Sequence, residues 1–184
     1  MRTLRLRRRT LRAAELNRVS KYDPAPRELR KGSVERDPCI ANIDEIEPEP
    51  YERLGIAGVS WDLGAATGTR LLGADVTEIP PGQKSSHFHS HSHKEEFFFV
   101  LSGRCRLRLG EKEYDLRAGD AVSRPAGTGV CHQFVNPFEE PCRVMMLGVQ
   151  AGRGVEDTVE WPELRRAFVM DAEGARKIVK RGAK

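Results

Sequence analysis

Across residues 60–150, turn-forming residues cut the chain into short apolar stretches every eight to twelve positions. That rhythm is the mark of an all-β sandwich or barrel. The clearest strand is RCRLRLG (104–110), where Cys105, Leu107 and Leu109 alternate with Arg104, Arg106 and Arg108. Successive side chains of a strand point to opposite faces, so one face of this segment is buried and the other is charged. LLGADVTEIP (71–80) reads as a strand stopped by Pro80-Pro81-Gly82, and EEFFFVLSG (95–103) as a buried strand ending at Gly103. Gly110-Glu111-Lys112 turns the chain back into EYDL. DAVSRP (120–125), CHQFVN (131–136) and CRVMMLGV (142–149) supply further strands. After Gly154 the pattern fades. WPELRRAFVM (161–170) predicts a short C-terminal helix within residues 151–184, with Pro162 near its start, where a missing N–H costs little. The basic last ten residues are expected to fray.

Charge divides the chain unevenly. Residues 1–31 hold eleven Lys or Arg against three Asp or Glu. Of totals of 31 and 27, that leaves twenty basic against twenty-four acidic residues elsewhere. The net +4 therefore belongs to an N-terminal arm, and the folded part is mildly acidic. Residues 1–33 read as a flexible basic arm. Residues 34–59 read as an extended linker or edge segment, because residues 23–50 hold five of the eleven prolines. At 184 residues the chain suits one domain, placed at 60–150. No apolar run approaches the roughly eighteen residues of a membrane helix. The four cysteines show no zinc-type spacing and read as reduced thiols. With no secretory apolar core near the start, the expected location is the cytoplasm.

All five histidines lie in two places, four of them at alternate positions in HFHSHSH (87–93) and the fifth at His132. Alternate residues of an extended strand share a face, so several imidazoles point one way and two of them can reach one metal ion. Which two is left open by the spacing alone: His89 with His91, or His91 with His93.

The segment PGQKSSHFHSHSHKEEFFFVLSG resembles the first cupin motif, G(x)5HxH(x)3-4E(x)6G, through Gly82, His89, His91, Glu96 and Gly103. It departs in one respect, with six residues between Gly82 and His89. GDAVSRPAGTGVCHQFVN resembles the second motif, G(x)5PxG(x)2H(x)3N, through Gly119, Pro125, Gly127, His132 and Asn136, with four residues between Gly127 and His132. The two lie fifteen residues apart. The resemblance implies a double-stranded β-helix, or jelly-roll, cupin barrel, most often a homodimer. It also implies one divalent metal ion (Fe, Mn, Zn or Ni) on His89, His91, Glu96 and His132. His87 and His93 are then rim or supporting groups.

Parity extends the reading. If Glu96 faces the interior, Phe98 and Val100 do so too, Glu95 faces outward, and Phe97, Phe99 and Leu101 pack between sheets. His132, Phe134 and Asn136 share a face, with Asn136 fixing a turn. Arg124 is expected outward and ion-paired; facing inward, it would clamp a carboxylate or phosphate. Four protein ligands leave open positions on an octahedral ion. The expected function is a metal-dependent enzyme of dioxygenase or isomerase type acting on a small metabolite. The alternative is a ligand-binding or sensing barrel with a structural metal. Residues 1–59 show no helix-turn-helix pattern, so nucleic acid is not an expected partner.

Overall fold

In the computed structural model, residues 37–152 and 154–180 are described. The basic arm at 1–33 lies outside them. The described chain is almost wholly antiparallel β. One wall is a six-stranded sheet in the order β1-β2-β3-β10-β5-β8. Its strands are β1 (Glu49–Arg53), β2 (Ile56–Asp62), β3 (Leu72–Ile79), β5 (Glu96–Ser102), β8 (Ala121–Arg124) and β10 (Cys142–Val149). Facing it is a three-stranded sheet, β7-β6-β9, made of β6 (Arg104–Leu109), β7 (Lys112–Arg117) and β9 (His132–Val135). A third sheet, β13-β12-β11-β4, joins β4 (Ser90–His91) to β11 (Asp157–Trp161), β12 (Arg166–Met170) and β13 (Arg176–Lys180). One helical turn, Leu63–Thr67, follows β2 and is capped by Asp62, whose side chain accepts the Ala65 N–H.

Alternation of side chains builds the core. Phe98 and Val100 of β5, Cys105 and Leu107 of β6, Phe134 of β9, and Cys142 and Val144 of β10 all point between the two walls, with Ile79 at the end of β3. Their charged neighbours on β6 face outward: Arg106 meets Asp115 at 2.6 Å on the adjacent strand. The turn from β5 to β6 requires Gly103, which has φ +72° and sits where a Cβ would collide with the Pro141 carbonyl oxygen. Asn136 is buried, its amide donating to the carbonyls of Ile79 and Glu140, both at 2.8 Å. It ties the end of β9 to the loop before β10, the turn-fixing role its position suggests. All four cysteines are free thiols.

The structure corrects two expectations about the strands and helices. No ten-residue helix forms at 161–170. Trp161 ends β11, Pro162–Leu164 make a single 3₁₀ turn, Arg165 takes a left-handed φ of 50°, and the chain returns as β12. Pro162 pre-sets the turn but does not propagate it. Beyond it, Arg166–Met170 pairs along its whole length with both β11 and β13, and Ala167 is fully buried. A short isolated helix is marginal, whereas a paired strand satisfies both edges of its backbone. Residues 176–180, expected to fray, form the outer strand of that ribbon. The second correction concerns β5. Phe97 and Leu101 do not pack between sheets, for they lie on the outer face at 41% and 42% exposure.

Candidate metal centre

β4 and β5 carry the first part of the site and β9 the second. His89 pairs with His132 through both backbone hydrogen bonds, at 3.1 and 2.7 Å, which brings their rings to 4.4 Å between centroids, tilted by 45°. His91, two residues on, points the same way, its ring 4.9 Å from that of His89. Glu96, the first residue of β5, reaches across from the opposite wall. Its Oε2 lies 3.2 Å from His132 Nε2 and 3.4 Å from His91 Nε2. His89, His91 and Glu96 offer ligand atoms within 4.8 Å of one another, and His132 joins them through Glu96. The structure thus brings together all four residues singled out by the sequence. Glu95 is exposed, and Phe98 lies beneath the cluster with its ring 5.4 Å from His132.

The donor set fits a cation. Glu96 Oε2 and His132 Nε2 are buried without a hydrogen-bond partner, because their close approach is misaligned for hydrogen bonding. Donors about 2.1 Å from a shared ion lie about 3–3.4 Å from one another, the spacing Glu96 Oε2 keeps from the His132 and His91 nitrogens. An orphaned carboxylate oxygen beside an orphaned imidazole nitrogen is costly in an apolar barrel unless a cation completes both. Electrostatics favour the ligand-ready protonation states. Burial, reinforced by the neighbouring His132 and His91, pushes the His89 imidazole down to about 3 and keeps it neutral. For Glu96, burial acts upward, but the His132 side chain 3.2 Å away and the Lys94 and histidine charges prevail and hold the carboxyl well below the usual range.

Three groups around the cluster carry no signal in the two motifs. Lys94 Nζ lies 3.0 Å from Glu96 Oε1, the oxygen turned away from the imidazoles. Gly148 on β10 makes room for it, since a Cβ there would approach Lys94 Cε to 2.6 Å. Arg124 pairs across the sheet with Glu96 and lines the same cavity, so it is not the outward, ion-paired arginine expected. Its Nη2 donates to two neutral acceptors, the Val130 carbonyl at 2.8 Å and Thr128 Oγ1 at 3.3 Å. Asp157, on β11, accepts from His91 Nδ1 at 2.5 Å. Burial would raise this carboxyl, but bonds from His91 and from the His93 and Lys94 amides hold it down at about 2. Sequence reasoning missed Lys94 and Asp157 because neither stands at a motif position. Arg124 it weighed by parity and placed on the wrong side.

The outer histidines sit apart. His93 is exposed, with Nδ1 2.9 Å from Ser92 Oγ. His87 meets the edge of Trp161 at 6.4 Å. The space bounded by His91, Lys94, Glu96, Arg124, Thr128 and His132 is about 10 Å³, room for one water or one ion.

Fold and site together define a small β-barrel with a histidine–carboxylate cluster in its interior. Residues 75–148 match the cupin domain family, and this part of the chain is a type-2 cupin domain. Among solved structures, the chain is similar to a protein of Acidithiobacillus ferrooxidans assigned provisionally as a sugar phosphate isomerase. That likeness has 24% identity and a TM-score of 0.71 and covers 80% of this chain and 97% of the other. A sugar phosphate isomerase of a cupin superfamily from Silicibacter pomeroyi gives 27% identity and a TM-score of 0.68, covering 76% and 90%. Protein SchB of Streptomyces halstedii is 27% identical over 141 residues, 74% of this chain and 99% of SchB. Among the described residues, no helix is long and apolar enough to cross a membrane.

Proposed function

We propose that His89, His91, Glu96 and His132 hold one divalent metal ion and that the protein is a metal-dependent isomerase of small anionic sugar-type metabolites. The observation that carries the metal is the pair of orphaned buried atoms, Glu96 Oε2 and His132 Nε2, facing each other across the cluster. When bound, the ion would supply Lewis acidity to a carbonyl or hydroxyl oxygen. Three imidazoles and one carboxylate suit iron, manganese, zinc or nickel.

The chain's own groups supply recognition. Arg124 carries a full charge satisfied only by neutral acceptors in the bonds described, and it is among the residues lining the cavity. A phosphate or carboxylate on the substrate would complete it. Lys94 holds Glu96 by its outer oxygen, which keeps the inner oxygen turned to the imidazoles. The likeness to the Silicibacter isomerase, at 27% identity over 90% of that chain, supports isomerisation over the dioxygenase chemistry the motifs also permit.

One observation favours a second reading, a ligand-sensing barrel with a structural metal: the cavity at the cluster is narrow, about 10 Å³, room for a water or an ion. Turnover decides between them. Metal-loaded, tag-free protein is incubated with phosphorylated aldoses and ketoses in D₂O and followed by NMR. Isomerisation, with loss of activity in Arg124→Ala, supports the enzyme. Metal-loaded protein inert to every phosphorylated and carboxylated sugar supports the sensor. The exposed Phe97 and Leu101 on the outer face of β5 suit the homodimer that the resemblance implies. A cytoplasmic setting suits the four free thiols.

A further inference from the structure

The cupin match ends at residue 148, yet β11, beyond it, reaches the cluster. β11 pairs with β4, the two-residue strand that carries His91, with Val159 opposite His91 and Glu160 opposite Ser90. Asp157 stands at the start of β11 and is 3% exposed. Its two oxygens are used differently. Oδ2 accepts from His91 Nδ1 at 2.5 Å. Oδ1 accepts from the His93 amide at 3.0 Å, the Lys94 amide at 3.3 Å and the Ser92 hydroxyl at 3.3 Å. The hydroxyl of Ser92 in turn accepts the Thr158 N–H at 2.7 Å.

We infer that Asp157 is a positioning residue for the metal site, fixing His91 as the Nδ1–H tautomer and so presenting Nε2 to the ion as a free base. A carboxylate only accepts hydrogen bonds, and a neutral imidazole has one N–H. With that N–H on the Asp157 side, the lone pair lies on Nε2, which faces Glu96 Oε2 at 3.4 Å. His89 is set the same way by different means, since its Nδ1 lies 2.7 Å from the His87 carbonyl oxygen. Both histidines of the H-x-H pair thus have Nδ1 anchored to an oxygen acceptor and Nε2 left for the cavity. A carboxylate anchor also strengthens the ligand's basicity more than a carbonyl does. The C-terminal ribbon is therefore part of the metal site. This inference rests on the reading of His91 as a ligand.

Asp157→Asn tests it with almost no change in shape. The three donors on the Oδ1 side hold the amide oxygen there, so the amide NH₂ faces His91 Nδ1. That nitrogen can then only accept, and the proton moves to Nε2, where it blocks the ion. The expected result is a metal-free protein that melts with the wild type and binds zinc about 10–100-fold more weakly. Phe168→Ala, which loosens the ribbon without touching Asp157, is expected to keep wild-type zinc affinity. In ¹⁵N-imidazole spectra of the zinc-loaded wild type, His91 is expected to show a protonated Nδ1. Asp157→Asn binding zinc as tightly as wild type would overturn the proposal, and so would a zinc-loaded wild type lacking that Nδ1 proton. The spectrum decides even where the variant folds poorly. Wild-type zinc affinity in His91→Ala would instead overturn the ligand reading beneath it, whatever Asp157→Asn does.

Discussion

The barrel walls and the C-terminal ribbon are both antiparallel sheet, but they are held by different forces. Between the walls, eight apolar side chains on β3, β5, β6, β9 and β10 are at most 4% exposed and touch as one cluster. In the ribbon, of the described residues 157–180 only Asp157 and Ala167 are fully buried, and Ile178 is 38% exposed. The ribbon is secured by strand pairing to β4 and by the polar knot at Asp157. The walls hold most of the buried apolar surface, and the ribbon, on the proposal above, orients one ligand. A single domain can thus separate what makes it stable from what makes its site accurate.

Substitutions can break that division or sharpen it. The largest effect on stability is expected from Phe134→Ala in the walls. It empties a fully buried ring volume beside Phe98 and should cost about 3–5 kcal/mol by chemical denaturation. Phe168→Ala in the ribbon removes a half-buried ring stacked on Trp161 at 6.1 Å and should cost about 1 kcal/mol. Equal costs would mean the ribbon is as much a core element as the walls.

Asp75 gives a pH-dependent test of the wall. Burial, followed by the charge of Asp62, raises its carboxyl to about 6, opposed by Lys94. A carboxyl whose folded pKa lies above its unfolded value favours folding when protonated. Its contribution is therefore fully present below about pH 4 and is lost as pH rises through 6. Asp75→Asn should stabilise the protein at pH 7 by about 1–2 kcal/mol and have no benefit at pH 3.5, measured as a shift in denaturation midpoint. The smallest effect is expected from His93→Ala. This exposed histidine should leave both metal affinity and stability unchanged, and a tenfold fall in affinity would place it among the ligands.

The walls were legible in the sequence because one face of each strand is buried, and burial writes a period of two. RCRLRL shows it without interruption, and its register fixes Cys105 and Leu107 inside. The four-residue cluster was legible because its spacing follows the cupin motifs. The ribbon was not. RAFVM buries only Ala167 fully, so no strong alternation marks it as strand, and Pro162 next to WPEL imitates a helix start. Arg124 was placed outward because parity within β8 alone does not say which face is interior. Its pairing with Glu96 decides that, and cross-strand register is set by turns far from either residue. Asp157 had no local signal, being 66 positions from His91 and brought beside it by the β4–β11 pairing.

The central claim is that four side chains from β4, β5, β9 and the turn before β4 close on one cation. Elemental analysis of protein purified without a histidine tag, then equilibrated with a single divalent metal and desalted, tests it most directly. The account predicts about one ion per chain in the wild type and a fall to a small fraction of that in Glu96→Ala and His132→Ala. Full occupancy in Glu96→Ala, or a wild type that retains none of iron, manganese, zinc or nickel, would contradict it.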